Sequence, residues 1–330
     1  MASSATRAAA SPVEPLTASP GIVGVGGALP PDIVENTAIT PLIGVSDEWI
    51  VKRTGIRARR YADPRAELAD LAAQAGAAAL LDAGLDATQV DLVLVASCSQ
   101  DSVMPNAAPV VAHMLGTREA GAFDIGSACT GFIAALAAAR GILLAGGADH
   151  ALVIGAEIMS RHIDPHDRNT AALFGDGAGA VVCSARAAGA IGPVVLGSDG
   201  GHRELIVADR DTGLLAMDGH ETFKQAVRRL AEGTVAACER AVVALDEIDL
   251  FVYHQANSRI LRSVAERLDV PLVKLIDCIA ELGNTSAASV PLALAQARAD
   301  GRLRAGTRIL LGAAGAGFTW GGCVIEWGGQ

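Results

Sequence analysis

The 330 residues are 51% hydrophobic and 19% charged, the composition of a core-rich globular chain of two domains or one duplicated unit. Aromatic residues make up only 3%, so Val, Leu, Ile and Ala must fill the core. A formal net charge of −10 argues against nucleic-acid binding through the general surface, and the longest apolar stretch, 132–148, is broken by Arg140, Gly141, Gly146 and Gly147 and cannot span a bilayer.

Residues 1–20 are rich in Ala, Ser and Pro and lack the apolar centre of a signal peptide, which reads as a disordered tail of a cytoplasmic protein. Cys98, Cys129, Cys183, Cys238, Cys278 and Cys323 occur singly, with no C-x-x-C pair, as expected of reduced thiols rather than a disulfide or zinc framework. The first strand is expected over 21–25. Gly24 and Gly26 follow it, but the third glycine and acidic residue of a dinucleotide fingerprint are missing. Ser46 caps a helix with Trp49 in its first turn, running into Lys52, Arg53, Arg57, Arg59 and Arg60. Such a cluster suits stacking on a base and pairing with phosphates; the other reading is a solvated basic face.

A helix is expected over 67–83, a fully buried strand over 90–96 and a second helix over 107–115. The strand 121–125 then reaches a small-residue turn and an Ala-rich helix, 131–144, and the strand 151–154 follows. This βαβα rhythm predicts a doubly wound sheet. Cys129 falls where the helix begins. Unpaired N–H groups and the helix dipole there favour a thiolate, although a buried Cys used as a small hydrophobe fits the same stretch. The glycine-rich stretch 174–180 reads as a turn or a site, 181–184 as a strand, and 188–192 as a junction to a second set of elements.

That second set repeats the first. Leu85-Asp86-Ala87-Thr88-Gln89-Val90-Asp91-Leu92 is echoed by Leu245-Asp246-Glu247-Ile248-Asp249-Leu250, and the strand 151–154 by 308–311, at one offset of about 160 residues. Two similar halves would pack about a pseudo-twofold axis. The loop of Cys129 then corresponds to that of Asn284, and the loop after Val95 to that of His254, which follows a buried strand where α/β sheets place ligand-binding groups. Cys, His and Asn brought together make a catalytic candidate. The local signature of papain-like hydrolases around the Cys is absent.

Several motifs occur in order: Asp47-Glu48-Trp49-Ile50-Val51-Lys52-Arg53-Thr54-Gly55-Ile56-Arg57, Ser127-Ala128-Cys129-Thr130-Gly131-Phe132, the 174–180 stretch, His254-Gln255-Ala256-Asn257-Ser258-Arg259-Ile260, Gly283-Asn284-Thr285-Ser286, and Gly315-Ala316-Gly317-Phe318-Thr319-Trp320-Gly321. In these, over roughly residues 20 to 327, the chain resembles β-ketoacyl-acyl-carrier-protein synthase III, a condensing enzyme of the thiolase superfamily. The resemblance implies a thiolase-like α/β fold with two duplicated halves, 21–188 and 189–330, in a layered αβαβα architecture. It implies that Cys129 takes an acyl group from acyl-CoA, with the oxyanion held by the backbone N–H groups of Cys129 and Ala316. His254 and Asn284 would donate to the thioester carbonyl of malonyl-acyl carrier protein as carbon dioxide leaves, without a metal or redox cofactor.

The same resemblance places CoA against Trp49, Arg53, Arg168, Gly219, Asn257 and Arg259. It suggests a carrier-protein docking patch around Lys224, Arg259 and Arg262, with Arg228 and Arg229 either joining it or forming an ordinary helix surface. It also implies a homodimer in which Met104 closes the partner's acyl pocket. The sequence departs from the family pattern at His220, where Asn is frequent beside the phosphopantetheine tunnel and makes a polar contact, and in 201–217, which is short and shapes the acyl pocket. The alternative reading is a relative that passes the acyl group from Cys129 to a hydroxyl or amine.

Overall fold

A computed structural model describes residues 19–329. The tail expected over 1–20 therefore falls outside the described residues except at its end. There Ser19 is buried, its Oγ 2.5 Å from the carbonyl of Ile191, and Pro20 accepts from Ile191 N–H at 2.6 Å; the second half of the chain closes over this point.

Continuous apolar runs dictate the centre of the fold. In chain order the first half comprises β1 (Gly21–Ala28), β2 (Asp32–Glu35), α1 (Asn36–Ile43), α2 (Asp47–Thr54), β3 (Ala58–Tyr61), α3 (Leu68–Ala83), β4 (Leu92–Ala96), α4 (Ala107–Leu115), β5 (Gly121–Ile125), α5 (Gly131–Leu144), β6 (His150–Ile158) and β7 (Asp176–Ser184). The second comprises β8 (Ala190–Ile191), β9 (Val195–Ser198), β10 (Ile206–Ala208), β11 (Leu215–Met217), α6 (Gly219–Ala241), β12 (Leu250–Tyr253), α7 (Ser258–Arg267), α8 (Ile279–Leu282), α9 (Ser289–Ala299), β13 (Arg308–Gly315) and β14 (Thr319–Glu326). β4, Leu-Val-Leu-Val-Ala, is buried at every position, as a strand covered on both faces must be.

The first sheet runs β1-β7-β6-β4-β5 and the second β8-β14-β13-β12, with β9 also on β14. β4 pairs parallel with β5 and β6, as the βαβα rhythm predicts, while β7 and β14 run antiparallel to their neighbours. The duplication is visible in the pairing. Leu92 faces Ala151 between parallel β4 and β6, and Leu250 faces Ile309 between parallel β12 and β13. A parallel bridge from Phe251 to Leu275 stands where β5 stands in the first half.

α5 and α9 lie between the sheets in one apolar core, α3 and α4 cover the outer face of the first sheet, and α6 and α7 cover that of the second. The result is the thiolase-like αβαβα stack with duplicated halves. The 174–180 stretch is not a turn: from Asp176 it is buried strand. Its glycines serve packing, since a Cβ on Gly179 would lie 2.6 Å from the Leu292 nitrogen of α9. Among the described residues no helix is long and apolar enough to cross a membrane.

Candidate active site

Between the halves opens a cavity of about 680 Å³ whose wall includes Cys129, His254 and Asn284. Each comes from the end of a different element. Cys129 sits in a single 3-10 turn, Ala128–Thr130, after β5 and just before α5. Ala128 adopts φ 43°, a left-handed backbone that non-glycine residues rarely take. Gly315, at the end of β13, makes room for the nucleophile: a Cβ there would stand 2.6 Å from the Cys129 Cβ and 3.1 Å from its sulfur.

The surroundings of Cys129 act on its thiol in both directions. Burial pushes the thiol up to about 11; a hydrogen bond from Ser286 opposes this, Glu157 adds to it, and the N–H groups of Cys129 and Ala316 pull the other way. Lost hydration is the largest of these effects because the sulfur is enclosed, with the residue 9% exposed. The N–H groups of Cys129 and Ala316 are the two that the resemblance assigns to an oxyanion hole.

His254 follows β12 and is 1% exposed. Its Nδ1 lies 2.6 Å from Ser289 Oγ, the first residue of α9, and its backbone N–H donates to Gly312 O at 2.8 Å. Burial pushes the imidazole down to about 4, so the ring is neutral at physiological pH. Asn284 Oδ1 accepts from Ser286 N–H at 2.9 Å, which leaves Nδ2 as the amide's free donor. The Asn284 backbone is fixed by Leu173 O at 2.8 Å and by Gly175 N–H at 3.0 Å.

The six residues expected to meet CoA all line this cavity: Trp49, Arg53, Arg168, Gly219, Asn257 and Arg259. Arg53 and Arg168 stack on Trp49, at 4.3 and 4.6 Å from the ring centroid, and Asn257 Nδ2 donates to Arg53 O at 3.1 Å. Arg259 lies 5.3 Å from the Phe223 ring centroid. The hairpin β10–β11, within the stretch that departs from the family pattern, supplies Ile206, Leu215 and Met217 to the wall, and His220 lines it too.

Part of the basic cluster is structural rather than a phosphate site or solvated face. Arg59 is fully buried and donates to Val34 O, Asn36 Oδ1 and Ala172 O at 3.2, 2.9 and 2.7 Å; Arg60 donates to Pro31 O at 3.1 Å. In the docking group, Lys224 pairs with Glu221 at 2.7 Å and Arg262 is exposed. Arg229 is held by Asp199 and Glu232 and stacks 4.0 Å from the Trp320 centroid, which makes it part of the fold rather than of a free patch. Met104 is 82% exposed and lies outside the cavity wall of its own chain.

Sequence reasoning missed four side chains. Ser289 orients His254, and Ser286 lines the cavity with Cys129 and lowers its thiol. Cys98 lines the cavity, and Glu157, at the end of β6, is completely buried behind it. Cys98 is solvent-accessible yet surrounded by packed atoms, because the solvent that reaches it is that of the cavity; burial and the nearby Glu157 raise its thiol well above the ordinary range. A carboxylate in the otherwise apolar run Leu152-Val153-Ile154-Gly155-Ala156-Glu157-Ile158 was the available signal for Glu157.

Residues 123–200 match the family model described as 3-oxoacyl-[acyl-carrier-protein (ACP)] synthase III, and 238–327 its C-terminal counterpart. The chain is 45% identical over 311 residues to beta-ketoacyl-[acyl-carrier-protein] synthase III 2 of Streptomyces coelicolor, covering 93% of this chain and 94% of that protein. Among solved structures it is similar to 3-oxoacyl-(acyl carrier protein) synthase III of Pseudomonas aeruginosa, with TM-score 0.90, 41% identity and coverage of 94% and 98%. It is also similar to the priming beta-ketosynthase of the R1128 polyketide pathway, with TM-score 0.89, 35% identity and coverage of 95% and 98%. With the thiolase-like halves and the cavity between them, these likenesses make the chain an enzyme belonging to the β-ketoacyl-[acyl-carrier-protein] synthase III family of condensing enzymes.

Proposed function

We propose that the protein joins an acyl-CoA starter to malonyl-acyl carrier protein by decarboxylative Claisen condensation, releasing a β-ketoacyl-acyl carrier protein that begins a fatty-acid or polyketide chain. The observation that carries this reading is the meeting of Cys129, a neutral His254 and Asn284 in one cavity. Cys129 forms the acyl thioester, and the N–H groups of Cys129 and Ala316 hold its oxyanion. Ser289 donates its hydroxyl proton to His254 Nδ1, leaving the ring proton on Nε2. Nε2–H and Asn284 Nδ2–H then stabilise the enolate left when carbon dioxide departs, and that carbanion attacks the acyl-Cys129 carbonyl. Transfer to a hydroxyl or amine would need a base in that place, whereas His254 and Asn284 are arranged as donors.

Trp49 and Arg168 hold the adenine, after Arg168 swings off the indole to admit it, and Arg53, Gly219, Asn257 and Arg259 line the pantetheine path. Lys224, Arg259 and Arg262 meet the acidic carrier protein. The enzyme works as a cytoplasmic homodimer. Support for the dimer is the edge position of β5 among the described residues, where Phe123 is 43% exposed, together with the exposure of Val103 and Met104; Met104 would then reach the partner's acyl pocket.

Incubation with a panel of acyl-CoAs and malonyl-acyl carrier protein tests the reading. Acyl-Cys129, carbon dioxide and a β-ketoacyl product are expected; acyl-Cys129 without carbon dioxide release would replace condensation by simple transfer.

A further inference from the structure

An oxyanion hole assembled from two halves of a chain must hold its two donors at a fixed separation, yet Cys129 lies just before α5 and Ala316 just after β13. A pair of hydroxyls joins these segments. Thr130 Oγ1, next along the chain from the nucleophile, lies 2.5 Å from Oγ1 of Thr319, the first residue of β14. Thr319 Oγ1 in turn donates to the carbonyl oxygen of Ala316 at 2.9 Å.

The direction of this chain of bonds follows from its protons. A threonine hydroxyl has one proton to donate and two lone pairs that accept. Thr319 gives its proton to the Ala316 carbonyl, which can only accept, so Thr130 is the donor between the two hydroxyls. The bonds therefore run from Thr130 to Thr319 to Ala316.

Thr130 is also the N-cap of α5, where a Thr side chain ordinarily accepts from the first turn of its own helix, but it makes no such bond. It is 1% exposed and its hydroxyl turns to the second half instead. The backbone around the pair is crowded. Gly315, which leaves no room for a Cβ beside Cys129, is the ladder partner of Thr319. A Cβ on Gly317 would lie 2.9 Å from the Thr319 methyl carbon. The connection that carries Ala316 is thus folded against the Thr319 side chain.

We propose that Thr130 and Thr319 are positioning residues, whose hydroxyl pair sets the Ala316 segment against the Cys129 turn so that both N–H groups meet one thioester oxygen. The inference rests on the oxyanion role of those N–H groups proposed above. Neither threonine is among the residues that line the cavity, so both act through Cys129 and Ala316. Negative charge gathers on the thioester oxygen when its carbonyl is attacked, by Cys129 in acylation and by the carbanion in condensation. A small displacement of one donor weakens both steps.

Two reactions of Cys129 separate this role from a merely structural one. Acylation, by acyl-CoA or by p-nitrophenyl acetate, builds charge on a carbonyl oxygen. Alkylation by iodoacetamide displaces iodide at a saturated carbon and does not. Thr319→Val removes both links and should slow acylation about 10- to 10²-fold, in the maximal rate and not in the KM for acyl-CoA. Thr130→Val removes one link and should slow it less. The double variant should be no slower than Thr319→Val, and Thr319→Ser, which keeps the hydroxyl, should keep the wild-type rate. Alkylation, followed on the peptide that carries Cys129, should stay at the wild-type rate in each.

Folding of every variant is checked by its thermal transition; if Thr319→Val does not fold, Thr130→Val decides by the same two rates. A folded Thr319→Val with wild-type acylation, losses that add in the double variant, or alkylation that falls in step with acylation would each overturn the positioning role. Acylation of the wild type by p-nitrophenyl acetate but by no acyl-CoA would overturn the substrate reading, and the ester rates would then decide the role of the threonines.

Discussion

Ala128 and Ser286 occupy equivalent places in the two halves and share one unusual backbone conformation, with φ 43° and 46°. Each opens a single 3-10 turn that leads directly into a central helix, α5 or α9. The duplication therefore repeats a strained turn as well as strands and helices, and it is this turn that aims Cys129 at the cavity. Ala128→Val should be poorly tolerated, since a β-branched residue resists a positive φ. A loss of about 2 kcal/mol in urea unfolding is expected, with slower acylation of Cys129, whereas Ala128→Gly should retain acylation.

Gly315→Ala tests how closely β13 approaches the nucleophile. The added methyl would overlap the Cys129 Cβ at 2.6 Å, so either the strand end or the thiol must shift. Acylation should fall by about 10²-fold or more in a protein that still folds, as measured by single-turnover release of CoA.

Removing one enolate donor should separate the two half-reactions. His254→Ala or Asn284→Ala is expected to slow carbon dioxide release from malonyl-acyl carrier protein by about 10²- to 10³-fold, while acyl-Cys129 still accumulates. Asn284→Asp should be at least as damaging, because a carboxylate faces the developing negative charge. Carbon dioxide release and intact-mass acylation, measured on one sample, check both statements.

The buried imidazole also links stability to pH. His254 is pushed from 6.5 down to about 4 in the fold, so as acid is added the unfolded chain takes the proton first. Its contribution is complete above about pH 6.5, declines from there to about pH 4 and is constant below, with a total on the order of 3 kcal/mol. Glu157, whose carboxyl is raised by burial, acts with the opposite sign. Its native form holds the proton longer, so stability from this group declines as pH rises through its native titration. Urea midpoints of wild type and His254→Gln between pH 4 and 7 isolate the histidine part, and the variant should be less acid-sensitive over that range.

Much of the architecture was legible because period and apolar runs are local signals. The helices α4 and α5 and the strand β5 begin and end where the sequence places them, and the echo between Leu92 and Leu250 is the register of two matching sheets. The glycine-rich strand β7 was obscured because glycine has little strand preference. Its glycines answer to α9, which lies far along the chain. Arg59 was indistinguishable from its exposed neighbours, since its three acceptors come from Val34, Asn36 and Ala172. Cys129 was found by its place before a helix. The state of its thiol depends on enclosure by both halves, which no local pattern encodes.

The duplication also explains why there is a single nucleophile. Ala287 is the counterpart of Cys129, and Glu157 that of Gly315. In one half a thiol stands against bare backbone; in the other a methyl group stands beside a carboxylate that occupies the corresponding space. A cysteine at Ala287 would stand against the Glu157 carboxyl, where Cys129 has the bare backbone of Gly315. The halves share a frame but have exchanged large for small at this one contact, so the dimeric enzyme proposed above would hold one acyl group per chain despite two nearly equivalent turns.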